Sequence, residues 1–152
     1  MIYYFDSSVI VKRYIEEKGT SGVRAIICPP LINIIHISTI TAVEVVAALS
    51  RRYRIKEISE NCYKDTVNMF LQDSKIQYYS NNVSEEVIDE AIKLAKSFPL
   101  RAYDAIQLAT ALMINTEYKR RGVAELTFVS SDRNLCKVAV DNRLQVINPE
   151  ET

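Results

Sequence analysis

The chain has 152 residues, 48% of them hydrophobic and 25% charged, and its nineteen basic side chains balance nineteen acidic ones. That length suits one domain with a full core, and the zero net charge excludes a passive nucleic-acid coat that works through a global field. His36 is the only histidine, and Cys28, Cys62 and Cys136 form no C-x-x-C pair, which argues against a Cys/His zinc site.

In chain order, strand-like apolar runs rich in Ile, Val, Tyr and Phe fall at residues 2–5, 34–38, 76–80, 126–130 and 145–147. Segments of helical period separate them, at residues 9–16, 41–54, 59–73, 85–98, 101–121 and 134–141. Punctuation agrees with this reading. Ser84 precedes Glu85 and Glu86 as an N-cap before a first-turn pair of acids, Pro99 parts two helices, and Gly122 follows the basic Lys119-Arg120-Arg121. Strands alternating with helices predict a single α/β domain, residues 1–152, with a central, mostly parallel sheet of about five strands flanked by helices.

No apolar run approaches the ~20 residues that span a bilayer. The opening Met1-Ile2-Tyr3-Tyr4-Phe5 reads as the first strand rather than a secretory leader. Both features predict a cytoplasmic protein, and the odd number and wide spacing of the three cysteines predict reduced, buried thiols. His36, inside an apolar run, reads as a core or strand residue rather than a catalyst.

Four acids sit where packing alone would not put them. Asp6 ends the first apolar run, Glu44 interrupts a run of Val and Ala, Asp104 adjoins the stripe of Ala105, Leu108, Ala109 and Leu112, and Asp132 follows the fourth strand. Each has a plain structural reading. Asp6 and Asp132 suit N-caps, Thr41 and Glu44 suit a capping box, and Asp104 has Arg101 three residues earlier as an ion-pair partner. Together they fit metal chemistry better. In a parallel sheet the ends of the first and fourth strands lie at one edge, where ligand sites form. Glu44 and Asp104 are expected nearby, in the first turns of their helices. Hard carboxylate oxygens suit Mg²⁺, with Mn²⁺ as an alternative, and such ions assist phosphodiester hydrolysis.

These residues carry a family likeness over essentially the whole chain. Tyr4-Phe5-Asp6-Ser7-Ser8-Val9-Ile10-Val11-Lys12, Thr41-Ala42-Val43-Glu44-Val45, Leu100-Arg101-Ala102-Tyr103-Asp104-Ala105-Ile106-Gln107-Leu108-Ala109 and Phe128-Val129-Ser130-Ser131-Asp132-Arg133-Asn134-Leu135 occur in the order of a PIN domain, and the chain resembles those of the VapC toxin type. The resemblance implies a Mg²⁺- or Mn²⁺-dependent endoribonuclease, with Asp6 and Asp104 as principal ligands and Glu44 and Asp132 completing the cluster. It also implies that Ser7 and the hydroxyls of Ser130 and Ser131 support the carboxylates. The partners it implies are RNA, a cognate antitoxin and a second copy of the chain, with no membrane.

Candidate phosphate contacts are Lys12-Arg13, Arg51-Arg52-Tyr53-Arg54, Lys119-Arg120-Arg121 and, nearest the acids, Arg101 and Arg133. Two alternatives stay open: a catalytically silent PIN-like interaction module, and a doubly wound signalling or binding domain. Against the second, Asp6 lacks the adjacent acid of a phosphoacceptor receiver, Ser8 replaces the second Asp of a haloacid-dehalogenase-like phosphatase, and no Gly-rich phosphate loop is present.

Overall fold

All of strand β1 (Ile2–Phe5) is buried. Ile2 and Tyr4 enter one apolar layer and Tyr3 and Phe5 the other, following the two-residue period of a strand. Burial on both faces is the signature of a parallel sheet covered by helices. The computed structural model, which describes residues 1–151, has that architecture. Strands β2 (Ile34–Ser38), β3 (Tyr79–Asn81), β4 (Leu126–Val129) and β5 (Gln145–Ile147) complete a five-stranded sheet of order β3-β2-β1-β4-β5. Every pairing in it is parallel.

On one face, α1 (Ser7–Tyr14), α2 (Thr20–Ile27), α3 (Ile40–Arg54) and α4 (Glu60–Ile76) add Val9, Val23, Val45 and Phe70 to the layer of Tyr3 and Phe5. On the other, α5 (Glu85–Ser97), α6 (Ala102–Arg120) and α7 (Arg133–Asp141) add Val87, Leu108 and Leu135 to the layer of Ile2 and Tyr4. The chain therefore leaves β1 toward one face and β4 toward the other, although these strands are neighbours. That divergence opens a crevice at their carboxyl ends, the switch point where open α/β sheets bind ligands. No helix among the described residues is long and apolar enough to cross a membrane.

The architecture departs from the sequence expectations at identifiable places. Helix α2 carries none of the usual start signals: its N-cap, Gly19, is in the left-handed region (φ 89°) and makes no side-chain bond. A glycine there reads as a stop rather than a start. Helix α4 runs past residue 73 to Ile76, because Gln77 bonds back to Asp73 through both its backbone N–H and its side-chain amide. The third strand is thereby displaced to Tyr79–Asn81. The three cysteines are unpaired, but the expectation that they are buried fails: Cys28 is exposed and the other two are half-buried. His36 is a buried strand residue, within hydrogen-bond distance of the Tyr118 hydroxyl (2.9 Å) and the Asn81 amide (3.1 Å).

Gly19 also marks where the C-terminal segment docks. A Cβ there would meet both C and O of Pro149 at 3.0 Å, whereas one on Gly122 (φ 67°) would meet nothing within 4 Å. Gly122→Ala should therefore cost only the left-handed backbone penalty, about 1 kcal/mol. Gly19→Ala should cost at least about twice that, since backbone atoms must also move. Denaturant unfolding of the two variants checks this, and equal losses would refute the close approach.

Candidate metal centre

Asp6 is the innermost acid, 4% exposed at the end of β1. Its Oδ1 accepts hydrogen bonds from Ser8 N (2.8 Å), Ser8 Oγ (2.6 Å) and Val9 N (3.3 Å), which cap α1. Its Oδ2 accepts one from Ser130 Oγ (2.6 Å), at the end of β4. The plain N-cap reading is thus correct for Asp6, and Oδ2, with one donor, keeps a further acceptor site. Asp132 is likewise the N-cap of α7, its Oδ1 accepting from Leu135 N (2.9 Å).

Glu44 does not form a capping box. Helix α3 begins at Ile40, so Glu44 falls beyond its first turn and Thr41 is already helical. Instead Glu44 Oε1 accepts from Gln107 Nε2 (2.7 Å) and Oε2 from Ser7 Oγ (3.1 Å). Asp104 does lie in the first turn of α6. Its carboxylate takes no hydrogen bond and no ion pair among the described residues, and Arg101 acts on it only as a more distant charge.

Electrostatics tie the four acids together. The carboxyl groups of Asp6, Glu44 and Asp104 are all raised above their ordinary values, in each case chiefly by burial. The charges of Asp132 and Asp6 raise Asp104 further, and Asp104 raises Glu44. Hydroxyl and amide donors oppose the shift at Asp6 and Glu44, and Arg101 opposes it at Asp104. Asp6 is buried, Glu44 and Asp104 are half-buried and Asp132 is exposed, and like charges withdrawn even partly from water are costly without a counter-charge. The donor set is all hard oxygen, as Mg²⁺ or Mn²⁺ requires, and the buried Ser131 hydroxyl has no partner, as befits a polar atom awaiting a water or ligand. The acids are nevertheless spread: among the described residues no three Asp, Glu, His or Cys side chains stand close enough to form a ready grip on an ion.

The supporting groups differ in part from those singled out in the sequence. Ser7 holds Glu44. Ser131 contributes its backbone N–H to Ser8 Oγ (3.1 Å), while the hydroxyl that clamps Asp6 is that of Ser130. Gln107, 1% exposed, has no counterpart in the sequence reading. It accepts from the Tyr4 hydroxyl and donates to Thr41 Oγ1 (3.0 Å) as well as to Glu44. Its signal was available: an amide on the apolar face of a helix, three residues after Asp104, needs buried partners.

The cations sort by partner. Lys12 is held by Glu17 and Glu150, Arg13 by Asp73, Arg52 by Glu17, Lys119 by Glu125, and Arg120 and Arg121 by Glu117. Arg133 pairs with Glu151 at 2.8 Å and is thereby turned to the C-terminal segment. Among the described residues Arg101 has no such partner, and it lines an open groove beside Ser7 and Glu44.

Two predictions follow from this balance. A carboxyl raised in the folded state binds its proton more tightly there than in the unfolded chain. Its contribution to stability is therefore best at low pH and declines as pH climbs from the ordinary values of 3.8 and 4.5 through the raised ones. In EDTA, Asp104→Asn should flatten this decline and melt above wild type at neutral pH, by about 2–4 °C if ~1 kcal/mol of repulsion is relieved. Thermal melts at pH 4 to 8 decide it, and a lower melting temperature for the variant would mean that Asp104 has a stabilising partner. Separately, Gln107→Leu should cost about 1–3 kcal/mol by stranding buried polar groups of Tyr4, Thr41 and Glu44. Unchanged unfolding in urea would remove Gln107 from its clamping role.

A family model described as PIN domain matches residues 3–141. No curated protein matches the chain. Among solved structures, a toxin–antitoxin complex from Klebsiella pneumoniae is similar at TM-score 0.61 and 18% identity, covering 97% of each chain. VapBC2 from Rickettsia felis, bound to a DNA fragment from its promoter, is similar at 0.63 and 15%, covering 97% of this chain and 98% of the other. VapC20 of Mycobacterium tuberculosis, a toxin that cleaves the Sarcin-Ricin loop, is similar at 0.59 and 13%, covering 88% of this chain and 92% of the other. At such identities the likeness is one of fold, which these toxin–antitoxin structures share with the present sheet and its flanking helices. With the family model spanning nearly its whole length, the chain belongs to the PIN domain family.

Proposed function

We propose that this protein is a divalent-metal-dependent endoribonuclease, the toxin half of a toxin–antitoxin pair. The observation that carries the reading is that Asp104, with no hydrogen bond or ion pair among the described residues, stands near enough to Asp6, Glu44 and Asp132 at the β1/β4 switch point for their charges to interact with its own. Asp6 and Asp104 would hold a Mg²⁺ or Mn²⁺ ion, with Glu44 and Asp132 completing its surroundings. Such an ion, when bound, supplies Lewis acidity toward a phosphodiester and makes a nearby water more acidic.

The chain's own residues do the rest. Ser8, Val9 and Ser130 fix the Asp6 carboxylate in one orientation, and Gln107 and Ser7 fix Glu44. Such outer supports set the aim of ligating carboxylates. Asp104, without a hydrogen bond among the described residues, is the acid whose proton a cation would displace. Its raised pKa makes metal uptake compete with protons, so activity should rise with pH across the carboxylate range.

The toxin role rests on the family and on the toxin–antitoxin neighbours. The expected protein partners are a cognate antitoxin and a second copy of the chain, acting in the cytoplasm. An apolar groove between α3 and α4, lined by Val43, Val46, Tyr63 and Leu71, leaves Val43 largely exposed and would suit either. A catalytically silent interaction module is the second reading. It draws its support from the spread of the acids, no three of which form a ready grip among the described residues.

Purified protein incubated with a mixed RNA panel in Mg²⁺, Mn²⁺ or EDTA separates the two. The nuclease reading expects metal-requiring cleavage that falls at least about 100-fold in both Asp6→Asn and Asp104→Asn, more than loss of a supporting residue costs. Well-folded wild type that neither cleaves RNA nor binds a divalent ion would favour the silent module.

A further inference from the structure

A cavity of about 510 Å³ opens where the β3 edge of the sheet meets α5 and α6. It shares no lining residue with the groove beside Glu44, and none of the four acids lines it. Its size is that of a small-molecule site. Val87 of α5 and Met113 and Ile114 of α6 give it an apolar wall, and His36 of β2 and Tyr118 of α6 give it a polar one. The His36 and Tyr118 rings stand edge to face with centroids 5.7 Å apart, which adds aromatic surface.

The hydrogen bonds around His36 decide which proton is left for the cavity. Asn81 Nδ2 donates to Ile37 O (2.9 Å) and Tyr79 O (2.8 Å) and lies 3.1 Å from His36 Nδ1. The two carbonyls fix that end of the amide as the nitrogen, and an amide nitrogen is a donor only. His36 Nδ1 is therefore the bare nitrogen. Burial pushes the His36 pKa down, so at neutral pH the ring is uncharged and carries its one proton on Nε2. Nε2 then donates to the Tyr118 hydroxyl at 2.9 Å. Tyr118, itself held protonated by burial, accepts that bond and has no other hydrogen-bond partner among the described residues. Its own proton is left over, on a half-buried side chain that lines the cavity. At the rim Glu117 and Arg121 are paired with each other, so neither offers a free charge to a ligand. One unspent neutral donor, an apolar wall and charges already committed match an uncharged, largely apolar molecule that carries an acceptor oxygen.

We propose that this cavity is a small-molecule site, separate from the four acids, which takes an uncharged aromatic compound with its carbonyl oxygen on the Tyr118 hydroxyl and its ring against Val87, Met113 and Ile114. The inference goes beyond the nuclease reading and does not depend on it.

The test follows from a feature of the composition. His36 is the only histidine, so its imidazole gives a single set of NMR signals that reports on the cavity. Without ligand, the ring nitrogen shifts should show the Nε2–H form, and an Nδ1–H ring would overturn the proton count. Benzamide should move the His36 signals with a Kd of about 1 mM, what a ligand of its size can supply. Toluene, which lacks the acceptor, and benzoate, which brings a charge, should each bind wild type at least about fivefold more weakly. Tyr118→Phe should weaken benzamide by about fivefold and leave toluene unchanged. Met113→Trp, at a position 36% exposed, should fill the cavity and abolish the shift of the His36 signals. Wild-type signals that benzamide does not move, toluene or benzoate binding as tightly as benzamide, full benzamide affinity in Tyr118→Phe, or a shift that survives Met113→Trp would each overturn the site.

Discussion

The burial of one carboxylate at the end of the central strand is the constraint around which the rest of this protein is arranged. Asp6 can be ionised in that position only because donors from two directions meet it: backbone and hydroxyl groups of Ser8 and Val9 on one side, Ser130 on the other. The first set starts α1, and the second ties β1 to β4 beyond their last ladder pair, Phe5 and Val129. One side chain therefore caps a helix and joins the two strands at the switch point. Burial still wins over these donors, and the Asp6 pKa stays raised. The site is tense as well as ordered.

Gln107 performs the complementary task between layers. It reaches from α6, on one face of the sheet, to Thr41 and Glu44 of α3, on the other, with the Tyr4 hydroxyl of the central strand as its third partner. A neutral amide is suited to this, since it satisfies a donor and an acceptor at once and adds no charge to an already repulsive group. Asp104, one helical turn before it, takes no hydrogen bond or ion pair among the described residues. The centre thus combines two clamped acids, a helix cap and, in Asp104, one acid without a hydrogen bond among the described residues.

Alternation of strand and helix, the two-sided burial of β1 and the N-caps at Asp6, Ser84 and Asp132 were legible because each is a local effect, written in spacing or in a single capping residue. The same locality explains what escaped. Gly19 at the start of α2 imitates a helix end, and the approach of Pro149, over a hundred residues away, leaves no room there for a Cβ. The apparent capping box of Thr41 and Glu44 is a pattern that α3 does not use, because the helix has already begun at Ile40, and the glutamate is held by Ser7 and Gln107 instead.

By itself, the sequence determined that a parallel α/β domain would carry four acids at or near one sheet edge, because hydrophobic period and misplaced charge are both properties of neighbours along the chain. Only the tertiary structure decided which serine clamps Asp6, that Gln107 governs Glu44, and that Arg133 is spent on Glu151 while Arg51 and Arg101 stay open to the groove. These choices depend on which hydroxyl, amide or carboxylate arrives within about 3 Å from a distant segment. Spacing along the chain carries no record of that distance.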